Sequence, residues 1–244
     1  LYVDYGRSYT NGYGGHSQLV ADSVRIVAGL GGSTGHGVYM STPWMGTVIT
    51  ATGLDSLTGD PQVSTLVSSN GYGVYLTTIN ANTDDATFSN LVVCGSQGNG
   101  IYLSGAGAVQ ARMNHCTIAD NAGDGLVMNG GAGGSWASPA NSIFANNTGH
   151  GLSLGTNAGP SFTCPESYNV FLGDDICVNA ATNGYAGTTL INDPRFWARG
   201  ARPDPWYKLG SMMSPAYRSG NDGKNRGALQ GRPPFMKGTV ILFR

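Results

Sequence analysis

Gly98-Asn99-Gly100-Ile101-Tyr102-Leu103 is one of five copies of a glycine-bracketed phrase. The others are Gly35-His36-Gly37-Val38-Tyr39-Met40, Gly71-Tyr72-Gly73-Val74-Tyr75-Leu76, Gly123-Asp124-Gly125-Leu126-Val127-Met128 and Gly149-His150-Gly151-Leu152-Ser153-Leu154. The second glycines stand at 37, 73, 100, 125 and 151, so the phrase returns after 36, 27, 25 and 26 residues. A near-constant interval of this size marks a stacked repeat, each unit being one turn of a solenoid. Within the phrase, Val38/Met40, Val74/Leu76, Ile101/Leu103, Leu126/Met128 and Leu152/Leu154 alternate with outward positions at period two, the pattern of a half-buried strand.

A second register accompanies the first. Asn90-Leu-Val-Val-Cys94, Asn114-His-Cys-Thr-Ile118, Asn141-Ser-Ile-Phe144 and Asn169-Val-Phe-Leu172 each begin with Asn and run into apolar residues. Polar turns follow at Asp120-Asn121 and Asn146-Asn147. One coil therefore reads as a strand, a polar turn, a short strand after Gly-x-Gly, and a loop of variable length. No coil can bury its apolar face alone, so each needs a neighbour above and below. The turn glycines are expected to supply φ > 0, a region Asn also tolerates. Asn side chains stacked in a column are expected to hydrogen-bond from coil to coil.

Composition agrees with a turn-rich all-β body. Glycine accounts for 39 of 244 residues, charged residues for 11% and hydrophobic residues for 40%, enough for a core. A net charge of −1 argues against nucleic acid or an anionic membrane surface as partner. No apolar run approaches the ~20 residues of a membrane span. The first residue is Leu1, which suggests a processed product or a fragment. Cys94, Cys116, Cys164 and Cys177 are too few for a disulfide framework. Cys164 and Cys177 flank one strand-like segment and would pair in an oxidising compartment; otherwise all four are small buried hydrophobes.

The repeat resembles the right-handed parallel β-helix of the pectate-lyase-like superfamily, over roughly residues 30–190. After it come Asp193-Pro194-Arg195-Phe196, Leu209, Ser214-Pro215-Ala216 and Asn225-Arg226-Gly227-Ala228. These resemble the closing segment of bacterial and phage β-helix proteins, in which Asp-Pro-x-Phe and Ser-Pro-Ala precede a terminal Gly-Ala. The resemblance implies an all-β fold: a right-handed parallel β-helix of roughly 7–9 coils with a C-terminal cap. Residues 1–29 would form an entry segment, 30–191 the β-helix, and 192–244 the cap and terminal strand Gly238–Phe243. Trp197, Trp206, Tyr207 and Tyr217, with Arg195, Arg199 and Arg202, are expected to anchor that cap. It would shield an open edge strand that otherwise templates association.

Two functional readings follow. Asn82-Thr83-Asp84-Asp85, Asp174-Asp175 and Gly149-His150-Gly151 resemble elements of family 28 polygalacturonases. In that family the Asp-Asp precedes the Gly-His-Gly; here it follows, with no Arg-x-Lys after it. As a polysaccharide lyase or glycoside hydrolase, the chain would use Asp84, Asp85, Asp124 and His150. Asp84 and Asp85 fall in the variable loop, where paired carboxylates can divide acid and base roles or hold Ca²⁺; equally, they begin the strand at Ala86. His150 and Asp124 share a turn column with His36, Tyr72 and Asn99, and Asp174-Asp175 continues the Asn turn ladder, so all four fit plain turn positions. No other metal or cofactor is implied. The second reading is a non-catalytic structural or decorating element, extracellular or on a virion surface, or a piece of a larger fibre. There Tyr39, Tyr75 and Tyr102 form an outward column that offers flat apolar surface with hydroxyl handles to a glycan or a protein partner. A homo-oligomer is compatible with either. Asn146-Asn147-Thr148 matches a glycosylation sequon.

Overall fold

The computed structural model describes residues 17–21, 25–27, 38–42, 47–51, 65–68, 71–78, 84–130, 136–155, 170–172, 176–178, 181–183, 190–196 and 209–228. Side chains are described within 71–77, 86–129, 137–155, 192–196 and 209–228. The strands lie in three sheets. Sheet 1 holds β1 (Ser17–Ala21), β4 (Thr47–Ala51), β7 (Asp84–Ser89), β10 (Val109–Asn114) and β13 (Trp136–Ala140), in that order. Sheet 2 holds β2 (Arg25–Val27), β5 (Thr65–Ser68), β8 (Leu91–Cys94), β11 (Thr117–Ala119), β14 (Ile143–Ala145), β16 (Val170–Leu172) and β19 (Leu190–Ile191). Sheet 3 holds β3 (Val38–Thr42), β6 (Val74–Thr78), β9 (Ile101–Gly105), β12 (Leu126–Gly130), β15 (Leu152–Leu154), β17 (Ile176–Val178) and β18 (Ala181–Asn183). Consecutive strands enter different sheets and each pairs in parallel with the strand one turn on, as in β7–β10–β13. The arrangement is a β-helix-like solenoid. Among the described strands only β18 breaks the rule, lying antiparallel to β17. No helix among the described residues is long and apolar enough to cross a membrane.

The alternation read from the sequence is the core. Val74, Leu76, Ile101, Leu103, Leu126, Met128, Leu152 and Leu154 are all buried and share one cluster with Leu91, Val93, Ile118 and Phe144 from sheet 2. Burying side chains of this size contributes roughly 1.5–3 kcal/mol each. Sheet 1 is the part the repeat did not announce: much of the expected variable loop is strand. Its inward columns, Ala86–Ala111–Ala137 and Phe88–Met113, are buried in the same core, but its strands lie outside the glycine phrase that marks the repeat. The Asn register also shifts by one residue: Thr117 pairs with Val92 and Ile143, which aligns His115, not Asn114, with Asn90 and Asn141.

The glycine expectation needs correction. Among the described residues, positive φ in a coil belongs to Asn90, His115 and Asn141 at one corner and to Gly95, Asp120 and Asn146 at the next. The Gly-x-Gly glycines do not adopt it. They are required by proximity instead. A Cβ on Gly73 would lie 2.5 Å from the Gly100 carbonyl oxygen, on Gly100 2.7 Å from that of Gly125, and on Gly125 2.5 Å from that of Gly151. Beside this corner runs a buried amide ladder. Ser96 N–H donates to Asn121 Oδ1 (3.1 Å), and Asn121 N–H and Nδ2 donate to Asn147 Oδ1 (3.2 and 2.8 Å). Asn121 Nδ2 also reaches the Val93 carbonyl (3.3 Å), and Asn147 Nδ2 that of Ile118 (3.1 Å). Among the described residues the ladder reaches as far as Ser96, whose buried Oγ has no hydrogen-bond partner there.

The outer face of sheet 2 is buried as well. Val92, Cys94, Ala119, Ile143 and Ala145 pack against Leu209, Ala216 and Ala228, with Phe196 and Tyr217 alongside. Residues 194–196 and 209–228 do this work. Phe196 and Leu209 form an antiparallel bridge, Ser214 Oγ donates to the Pro194 carbonyl (2.6 Å), and Arg226 N–H donates to that of Ala216 (2.8 Å). Gly227, at φ +89°, donates its N–H to the Asn141 carbonyl (2.6 Å), where a Cβ would meet Ile143 Cδ1 at 2.7 Å. Ala228 N–H donates to Thr117 Oγ1 (3.0 Å). This segment thus seals the flank of β8, β11 and β14. Trp197, Trp206, Tyr207, Arg199, Arg202 and Gly238–Phe243 lie outside the described residues, as do residues 1–16 of the entry segment.

Two corner residues clasp the segment. Asn141 Nδ2 donates to Asn221 Oδ1 (2.8 Å) and Asn141 Oδ1 accepts from Asn221 N–H (3.0 Å). His115 Nδ1 donates to the Asn225 carbonyl (2.8 Å), and Nε2 meets Asp222 Oδ2 at 2.9 Å. Burial alone would raise the Asp222 carboxyl. Hydrogen bonds from His115 and the Lys224 N–H, with the charges of both residues, outweigh it and hold the group below its ordinary value. Burial pushes the Cys116 thiol up to about 12, so this cysteine is an inert core residue. Cys94 and Cys116 are buried and form no disulfide. Cys164 lies outside the described residues, and Cys177 is placed by register beside Ser153.

Three outcomes follow. Asn121→Ala strands donors and acceptors on two coils and is expected to lower stability by about 2–4 kcal/mol in chemical denaturation. Ser96→Asn, with the Val67 carbonyl in register to receive it, is expected to raise stability by about 1 kcal/mol. Because the Asp222 value is depressed, its contribution is present above the ordinary carboxylate range near pH ~4 and lost as pH falls through the folded value. Exchange protection of the Gly227 and Ala228 amides should therefore drop in acid before that of the core strands, and Asp222→Asn should abolish the difference.

Candidate functional site

The Gly-x-Gly corner determines where the candidate side chains go. In the phrases at Tyr72, Asn99 and Asp124 the middle residue lies over the first glycine of the next. Asn99 Oδ1 accepts from Asp124 N–H (2.8 Å), and Asp124 Oδ1 accepts from His150 N–H (2.7 Å). A Cβ on Gly123 would overlap Asn99 Oδ1, and one on Gly149 would overlap Asp124 Oδ1. Asp124 and His150 are therefore linked, but through the histidine main chain. The carboxylate serves as an inter-coil turn cap.

Asp84 and Asp85 stand elsewhere. They open β7 in sheet 1, where Asp84 is in register with Val109, and Asp85 with Val48 and Gln110. Consecutive strand positions fall on opposite faces of a sheet. Of the two placements the sequence allowed, they take the one at the start of the strand, and the register does not set the two carboxylates side by side as a dyad. Asp124 and His150, by contrast, belong to the corner leading into sheet 3, so the four residues of the enzymatic reading are divided between two parts of the coil. Asp174 and Asp175 lie outside the described residues. Among the described residues no group of three or more His, Cys, Asp or Glu could hold a metal ion.

The tyrosines do come together. Tyr39, Tyr75 and Tyr102 are in register across β3, β6 and β9, and the column continues as Val127, Ser153 and Cys177. The Tyr39 side chain lies outside the described set. Tyr72 joins from the corner: its ring lies against Gly98, where a Cβ would be 2.5 Å from Tyr72 Cδ1. Its ring stacks on Tyr102 at 5.2 Å and 14°, and it meets Tyr75 at 5.5 Å and 44°. Tyr75 and Tyr102 are 5.3 Å apart at 33°. Offset aromatic contacts of this kind add roughly 0.5–1.5 kcal/mol each beyond area burial. All three rings stay half-buried at the surface. Asn129 Nδ2 approaches Tyr102 Oη at 3.5 Å from the next coil. Tyr72 was hidden in the sequence because its column varies from His36 to Asn99 and Asp124; the only available signal was its place three residues before Tyr75.

No family model matches the chain, and no curated protein or solved structure is significantly similar to it.

Proposed function

We propose that the chain is a non-catalytic β-helix protein of the pectate-lyase-like kind, right-handed and of seven to nine coils, built as a rigid surface element. Its setting in this reading is extracellular or the outside of a virion, with residues 192–244 as the closing segment. Its contact with other molecules is a glycan held on the tyrosine face. The observation that carries this reading is the Tyr72–Tyr75–Tyr102 cluster, three mutually packed rings on a closed-core scaffold. Such a platform is already ordered before a ligand arrives, which lowers the entropic cost of binding. The engagement of Asp124 by the His150 main chain favours this reading over a lyase or glycoside hydrolase using Asp84, Asp85, Asp124 and His150.

A glycan array is the test. Binding by the purified chain is expected, with affinity lost by at least about tenfold in Tyr75→Ala and Tyr102→Ala variants whose cooperative melting is retained. Binding that survives both substitutions overturns the tyrosine face. New reducing ends or unsaturated products from a polysaccharide panel overturn the non-catalytic assignment.

A further inference from the structure

The three faces of the solenoid differ in charge. On sheet 2 the flank of β8, β11 and β14 is covered by residues 196 and 209–228. Sheet 1 carries Asp84, Asp85 and Arg112, and Arg112 is exposed. In sheet 3 none of the seven strands contains Asp, Glu, Lys, Arg or His. Its outward positions form two rows. One is Tyr39–Tyr75–Tyr102–Val127–Ser153, the other Ser41–Thr77–Ser104–Asn129. Tyr75, Thr77, Tyr102, Ser104, Val127 and Ser153 are half-buried and Asn129 is exposed.

We infer that this face takes an uncharged polysaccharide, laid along the solenoid axis with its ring faces on the tyrosine row and its hydroxyls on the Ser/Thr/Asn row. The inference rests on the glycan-binding reading of the same face and adds the ligand class and its direction. A sugar ring offers an apolar C–H face to an aromatic platform and hydroxyls to neutral donors and acceptors, and both complements stand here in adjacent rows. An acidic chain would bring a carboxylate or sulfate to each residue, and the strands of this face supply no cation to pair with it. Desolvating such a charge unpaired is costly. Direction follows from register. Both rows cross the strands, so equivalent side chains recur every ~4.8 Å up the stack, and Ser153 lies roughly 10 Å beyond Tyr102. A chain running along one strand would leave this charge-free face after about two sugar widths, whereas an axial chain stays on it from β6 to β15.

The test pairs neutral with acidic probes. Affinity electrophoresis is run against mannan, a mixed-linkage β-glucan, laminarin, polygalacturonate and a sulfated galactan, at low and raised salt. Retardation by at least one neutral polysaccharide is expected, unchanged by salt and lost in Tyr75→Ala and Tyr102→Ala. Retardation by acidic polymers alone, tyrosine-dependent and weakened by salt, overturns the ligand class while leaving the tyrosine face as a glycan site. Retardation by none, or by any polymer independently of the tyrosines, overturns that underlying reading as well. The axial direction is tested with Ser153→Asp, an outward change two coils from Tyr102. It should weaken a long oligosaccharide of the retained sugar by about tenfold and leave a short one unaffected. Equal weakening of both, or of neither, contradicts an axial chain.

Discussion

Everything in this solenoid depends on how closely one coil approaches the next at the Gly-x-Gly corner. The Gly100 and Ile101 amides donate to the Asp124 and Gly125 carbonyls at 2.8 Å, and Gly125 and Leu126 donate to His150 and Gly151 at 2.7 and 3.0 Å. A main chain this close to its copy one turn on leaves no room for a Cβ between them. Main-chain hydrogen bonds of 2.7–3.1 Å hold this corner from Gly73 to Gly151. The amide ladder of Ser96, Asn121 and Asn147 can form beside the corner because the same separation brings each amide within reach of the next. Buried amides in register satisfy one another, where a slip of one residue would leave several unpaired polar groups inside.

The same spacing creates the two surfaces that matter outside the core. On sheet 2 the outward columns are small and apolar, so a loop-rich segment can lie flat across three coils. It is fastened at the left-handed corners by His115 and Asn141, each reaching out where Asn90 heads the same column. On sheet 3 the outward columns hold tyrosine and hydroxyl residues. The corner residue Tyr72 bends over Gly98 to complete a cluster that one strand column alone would not make.

Much of this was legible in the residues, for physical reasons that can be named. The repeat interval, the inward apolar column of sheet 3 and the Asn ladder are periodic, so each coil repeats the evidence of the last. The residues that pack on sheet 2 stood out in the sequence, but their address did not: Ser214-Pro215-Ala216 and Gly227-Ala228 say nothing about which surface they meet. Sheet 1 was largely missed because its strands carry no glycine phrase and only one of its inward columns is uniform, the alanines of 86, 111 and 137, and the glycines were credited with the wrong property. Their φ is ordinary; it is the neighbour's carbonyl that excludes a side chain. The candidate carboxylates were separated only once Asp84 and Asp85 proved to be strand residues and Asp124 an inter-coil cap.

The most direct test of this account is the stability of Gly125→Ala by equilibrium denaturation. At a glycine with ordinary φ and free space, alanine stabilises by roughly 0.4–1 kcal/mol through the unfolded state. Here the added methyl would sit 2.5 Å from the Gly151 oxygen and 3.0 Å from Asn147 Nδ2. Close coil contact therefore predicts the opposite sign, a loss of about 2–4 kcal/mol. A neutral or stabilised Gly125→Ala protein would mean that the coils do not approach as described, and the stacking on which both surfaces depend would have to be abandoned.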